Sequence, residues 1–134
     1  VAQNFKTVKT YAAQASADAQ PSAVASFTDL EGLDTMAPRG RISRLVELRL
    51  DSASVGGTAN PTAVTFDIYR WNRLDSTRDF LGSWTIAASD ITAGKVMPYV
   101  VGEAYTHYIT VALASFTGGT SPTFTGAVQA RAVE

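Results

Sequence analysis

Hydrophobic and polar residues alternate with a period of two through most of this chain. Tyr105, His107, Ile109, Val111 and Leu113 fall on one side of such a run, and Thr106, Tyr108, Thr110 and Ala112 on the other. The stretch Ser115–Pro122, with Gly118-Gly119 and Ser121-Pro122 inside it, breaks the pattern. Phe124, Gly126, Val128, Ala130 and Ala132 then resume it. Alternation on both sides of a glycine-rich break predicts two long antiparallel strands joined by a loop. The second of them, Thr123–Val133, reaches the end of the chain, which predicts a terminus tied into a sheet.

Two further strands are predicted at Val64–Trp71 and Phe80–Ile86, joined by the charged connection Asn72–Asp79. Pairing Val64 with Ile86, Phe66 with Trp84, Ile68 with Gly82 and Arg70 with Phe80 makes one face almost wholly apolar. That register puts Phe66, Ile68, Phe80, Trp84 and Ile86 in the core, and a slip of one residue would scramble it. Upstream, Ile42, Val46, Leu48 and Leu50 alternate within Arg41–Asp51, while Arg44 and Leu45 break step as at a bulge or an edge. Ser52–Pro61 reads as a loop. Val96–Val101 is a strand that Pro98 confines to an edge or a late start. Single helical turns are predicted at Ser89–Gly94, from an N-cap serine and a stopping glycine, and at Thr28–Gly32, from a Thr-x-x-Glu capping box.

Residues 1–25 read as a separate opening segment, an arm or a strand followed by an Ala-rich stretch. Phe5–Tyr11 alternates as a strand does, and Ala12–Gln20 suits a short helix or an extended arm equally. Ordering a residue costs about 1–2 kcal/mol of backbone entropy, and this segment offers little periodic apolar surface against that. It is therefore expected to pack on a neighbouring subunit in a closed symmetric assembly, a trimer first. Residues 26–134 form one domain. Seven or eight strands and no long helix predict an all-β, antiparallel β-sandwich, with a jelly roll preferred and a Greek-key immunoglobulin-like fold second.

A chain of 134 residues can bury a core without staples. Its charged fraction of 17% lies below the usual value of about 25%, pointing to apolar surface that another chain covers. Eleven basic and 12 acidic residues give no strong field to draw nucleic acid or an anionic membrane. The absence of cysteine excludes disulfides and thiolate metal sites. No apolar run approaches the roughly 18 residues that span a bilayer, and Lys6 and Lys9 interrupt what could pass for a signal peptide.

Reaction chemistry is sparse. His107, the single histidine, sits mid-strand with no Gly-x-Ser-x-Gly elbow to serve, so a structural role is expected. Asp67, Asp75, Asp79 and Asp90 could supply a carboxylate pair, but Asp75 and Asp79 share a loop with Arg73 and Arg78, where solvated ion pairs suffice. Asp29, Glu31 and Asp34 surround Gly32 as a weak calcium candidate without EF-hand spacing, behind plain helix capping. No cofactor or metal is expected. Arg39, Arg41, Arg44 and Arg49 form a basic cluster able to clamp phosphate. It stands beside Glu47 and Asp51 without the interleaved aromatics of single-strand binders, so salt bridges within the sheet or to a neighbouring subunit are expected. On the back of the central hairpin, Tyr69, Trp71 and Leu81 project outward among Asp67, Ser83 and Thr85. Such a platform suits a cover from the chain's own opening segment or a loop, an interface anchor or a stacked sugar ring.

Several of these phrases together resemble small virion structural proteins of tailed bacteriophages. They are the Ala-rich opening, Phe66-Asp67-Ile68-Tyr69-Arg70-Trp71, Tyr108-Ile109-Thr110-Val111-Ala112-Leu113, and Gly118-Gly119-Thr120-Ser121-Pro122-Thr123 before a final strand. The resemblance covers mainly Val64–Glu134 and carries over no residue roles. It implies a non-enzymatic β-sandwich, located in the virion, that decorates or completes the head or sits in the tail or its fibres. Its partners would be other virion subunits, itself included, with no membrane. The rival from another class is a carbohydrate-binding module or adhesin that uses the aromatic platform.

Overall fold

The computed structural model describes residues 5–19, 28–29, 44–72, 76–91, 96–101 and 108–133. Among them the chain forms β1 (Lys6–Gln14), β2 (Thr28–Asp29), β3 (Arg44–Gly56), β4 (Ala63–Asn72) and β5 (Thr77–Ala87). The short helix α1 (Ala88–Ile91), β6 (Val96–Val101), β7 (Tyr108–Thr117) and β8 (Thr123–Val133) follow. The all-β class expected from the alternation is the one adopted. Every pairing is antiparallel, in two four-stranded sheets ordered β1-β8-β3-β6 and β2-β7-β4-β5. β6, with its Pro98, lies at a sheet edge.

The inner faces of the two sheets share one core. Leu48, Phe124 and Val128 of the first meet Phe66, Trp84 and Val111 of the second. Aromatic rings tie the layers together: Phe66 lies 5.2 Å from Phe124 and 5.8 Å from Tyr11 between ring centroids. Tilted and edge-on pairs of this kind add about 0.5–1.5 kcal/mol each beyond the area they bury.

The central hairpin keeps the expected register from Val64–Ile86 through Ile68–Gly82 and then shifts. Tyr69 pairs with Phe80 and Arg70 with Asp79, leaving Leu81 as the extra residue of a β-bulge. One added residue inverts the in-out alternation beyond it. Phe80, expected in the core, is therefore 58% exposed, and Leu81, expected outside, packs against the core. The shift gives Arg70 a carboxylate, with its Nε 3.2 Å from Asp79, where the unshifted register would have set it against a phenyl ring.

Other expectations are corrected as well. The last two strands are not neighbours: β7 belongs to the second sheet and β8 to the first. The turn between them uses Gly118 and Gly119 at φ of 70° and 80°, a region costly for other residues. The opening strand is ordered by its own chain, since β1 pairs with β8 and Tyr11 is 3% exposed in the core. Of the two readings of Ala12–Gln20, the described residues through Ala19 follow the extended one, with the strand running to Gln14 and no helix after it. Thr28 and Asp29 pair with Ile109 and Tyr108 as strand, where a helical turn was expected. The remainder of that predicted turn lies outside the described residues.

The loop expected from Ser52 is strand as far as Gly56, because Ser52 and Ala53 bulge out opposite Gly126. Gly126 has φ 145°, and a Cβ there would meet Ala53 Cα at 2.7 Å and Ala53 Cβ at 2.9 Å. Gly126→Ala is accordingly expected to destabilise the fold by about 1–3 kcal/mol, measured by denaturant melting. A silent substitution would show that β3 and β8 do not approach this closely.

Candidate functional site

Beyond the bulge, β4 still turns its odd-numbered residues away from the core. Asp67 stands between Ser83 and Ala112, Tyr69 between Phe80 and Thr110, and Trp71 between Arg78 and Tyr108. The outer face of the second sheet thus has a polar end and an aromatic end. At the polar end Ser83 Oγ donates to Asp67 Oδ1 at 2.8 Å, and Thr65 and Thr85 hydroxyls lie 2.9 Å apart.

At the aromatic end Tyr69, only 5% exposed, forms a floor with buried Ala112, against which Trp71 and Tyr108 pack. Phe80 meets Tyr69 edge-on at 5.7 Å, and the Arg78 guanidinium lies over the same ring at 5.4 Å. Of the expected platform, Tyr69 and Trp71 face outward as read, with Tyr69 as floor and Trp71 half-buried. Leu81 has left this face, and Phe80 replaces it through the bulge. Sequence reasoning missed Phe80 because alternation carries no signal for an extra residue.

The basic cluster takes a different form. Arg49 Nε donates to Gln129 Oε1 at 2.7 Å, and its guanidinium stacks 4.0 Å from the Phe5 ring centroid. Arg131 lies over the same ring at 4.6 Å and donates to Glu47 at 2.9 Å. Two guanidinium groups over one phenyl ring are held by cation–π attraction. Arg49 so engaged belongs to the outer packing of the first sheet, with Arg131 as a companion that only the β3–β8 register brings near. Arg44 lies in β3, and Arg39 and Arg41 are outside the described residues.

Among the described residues the remaining candidates do not assemble. Asp79 pairs with Arg70 and Asp67 with Ser83, and Asp90 lies in α1. Asp75, His107, Glu31 and Asp34 fall outside the described residues, and of Asp29 only its place in β2 is described. Among the described residues no three His, Asp or Glu side chains converge as metal ligands do.

One constellation had no sequence signal at all. After β1 the chain turns back so that Asp18 N–H donates to Leu113 O at 2.9 Å. The Leu113 N–H in turn meets Asp18 Oδ2 at 2.9 Å and the Tyr11 hydroxyl at 3.1 Å. Tyr11 donates to the same carboxylate oxygen at 2.6 Å, and Lys9 Nζ lies 3.2 Å from it. Burial first, then the hydrogen bond and charge of Asp18, push the Tyr11 hydroxyl well above its ordinary range, against the opposing Leu113 N–H. The arrangement seals the edge of β7 and fastens the opening segment to the second sheet; it has no substrate-facing geometry. Comparison of the chain with protein-family models, with curated proteins and with solved structures finds no match.

Proposed function

We propose that this chain is a non-enzymatic structural subunit of a tailed-bacteriophage virion, a capsid decoration or head-associated protein that binds other virion subunits and itself. The finer fold reading that accompanies it is an eight-stranded jelly roll. The pairs β1·β8, β2·β7, β3·β6 and β4·β5 are those of one long hairpin folded back on itself. Rolling that hairpin places alternate pairs in opposed sheets, the winding of double Greek-key capsid and lectin domains.

The observation that carries the functional reading is the aromatic end of the second sheet. Phe80 stands 58% exposed over Tyr69, against which Trp71 and Tyr108 pack. A large side chain held out in this way resembles an interface anchor, and the low charge of the chain agrees with surface covered by neighbours. The trimer expected from the opening segment has lost its physical basis, because β1 finds its burial at home. A symmetric homo-oligomer remains the proposal, without that arm as its cause.

The test is sedimentation of the purified protein with phage particles whose genome encodes it beside portal or major-capsid genes. Phe80→Ala is expected to cost about 0.5–1.5 kcal/mol of stability, the scale of its edge-on contact with Tyr69. It should weaken particle binding by about 2 kcal/mol or more, as loss of a central anchor does. Unchanged binding by this variant, or no binding by the wild type, refutes the proposal. The same exposed ring on Tyr69, with the Asp67–Ser83 pair one position further along the sheet, also favours the carbohydrate-binding alternative. Glycan-dependent retention of a monomeric wild type on a polysaccharide column, lost in Phe80→Ala, would select that alternative.

A further inference from the structure

Four strands stand at the sides of the two sheets: β1 and β6 in the first, β2 and β5 in the second. An open edge invites another strand, and proteins usually blunt it. Three of the four are blunted here. β1 bulges at Val8 and again at Ala12–Ala13, β6 carries Pro98, and β2 is two residues long with Asp18 sealing β7 at Leu113. β5 differs. It has 11 residues without proline, and Gly82–Ala87 runs free of both bulge and charge. Among the described residues no strand lies beyond it.

The direction of its main-chain groups follows from the ladder. Along a strand these groups point alternately to either side. Ala88 N–H donates to Thr62 O at 2.9 Å, so Ile86, Trp84 and Gly82 bond towards β4. Ser83 and Thr85 therefore turn their N–H and C=O groups away from it, and Ala87 its N–H, while the Ala87 C=O opens the first turn of α1. The opposite side of β4 agrees: Leu113, paired with Phe66, also turns both groups outward, where Asp18 takes them. The side chains of Ser83, Thr85 and Ala87 are small, uncharged and exposed, and Trp84 and Ile86 are already buried.

We propose that this edge pairs with β5 of a second copy of the chain, antiparallel about a two-fold axis through Thr85. Thr85 then faces the partner's Thr85, and Ser83 faces the partner's Ala87. The facing threonines exchange two main-chain hydrogen bonds, and each Ala87 N–H donates to the partner's Ser83 C=O. A self-complementary run is satisfied by its own copy under two-fold symmetry, and the paired run Ser83–Ala87 carries no charge. The two second sheets become one continuous sheet, and the aromatic ends of both copies share one surface. This deepens the subunit reading, on which it rests for the use of that surface: two joined anchors gain avidity for a particle.

Amide hydrogen exchange and sedimentation of the full chain, at low and high concentration, test the pairing. The wild type should dimerise, with exchange at Thr85 and Ala87 slowing by at least about tenfold as dimer forms. Thr85→Pro removes an outward N–H while sparing the β4 ladder, and it should stay monomeric where the wild type is dimeric. Should that variant fail to fold, wild-type exchange decides. A monomer at every concentration overturns the pairing, as does protection of these amides that ignores concentration. An oligomer whose β5 amides exchange freely overturns the pairing alone. A protected dimer that ignores particles overturns only the virion reading.

Discussion

Replacing Trp84 with alanine is expected to lower the unfolding free energy by about 3–5 kcal/mol. Its side chain is 1% exposed and packs 6.1 Å from Phe66 between ring centroids, beside the contacts that join the two sheets. The void left by an indole there cannot collapse without moving β4 and β5 together. Domains of this size have about 5–15 kcal/mol in total, so the variant should melt at far lower denaturant and lie close to the folding threshold. Trp84→Phe should behave differently. The Trp84 Nε1–H is buried with no hydrogen-bond partner among the described residues, a burden of about 1–3 kcal/mol that phenylalanine removes while keeping much of the ring. The loss in Trp84→Phe is thus expected to be under half that in Trp84→Ala. Urea melts followed by circular dichroism check both, and equal losses would show that the indole nitrogen is satisfied after all.

The same hairpin shows what was legible in the chain and what was not. Hydrophobic alternation reports which face a residue takes, and it placed Phe66, Ile68, Trp84 and Ile86 correctly in the core. It cannot report an inserted residue, and so Phe80 and Leu81 exchanged places. The bulge follows from tertiary and cross-strand preferences, Arg70 for Asp79 and Tyr69 for Phe80, with energies too small to read from spacing. Alternation is equally silent on which strand lies beside which. The pattern of β7 and β8 was plain, yet they lie in different sheets because the Gly118–Gly119 turn carries the chain across the core. The opening segment looked too polar to order itself. Its burial is concentrated in one residue, Tyr11, and periodicity gives a single aromatic little weight. On the surface, the aromatic platform was half legible, and the Phe5–arginine stack was hidden in the pairing of β3 with β8.

Tyr11→Ala is expected to cost about 3–5 kcal/mol, since the ring is buried against Phe66 and Phe124 and its hydroxyl anchors Asp18. Tyr11→Phe isolates the hydroxyl. It keeps the ring contacts and leaves Leu113 N–H its bond to Asp18, so a loss of about 1.5–3 kcal/mol is expected, the scale of one hydrogen bond to a charged group. The sharper signature is in alkaline solution. Burial and then Asp18 raise the folded pKa of Tyr11, while the unfolded chain releases that proton near the ordinary value of about 10. Below that pH both states hold the proton and the contribution is constant. Above it the unfolded state binds fewer protons, so stability falls by about 1.4 kcal/mol per pH unit on account of Tyr11. The other tyrosines are common to both proteins and cancel in the difference. Tyr11→Phe should therefore show an alkaline slope shallower than the wild type by about one proton, converging with it as pH rises. Parallel stability curves for the two proteins would mean that Tyr11 ionises as readily folded as unfolded, and that its hydroxyl does not lie between Asp18 and Leu113.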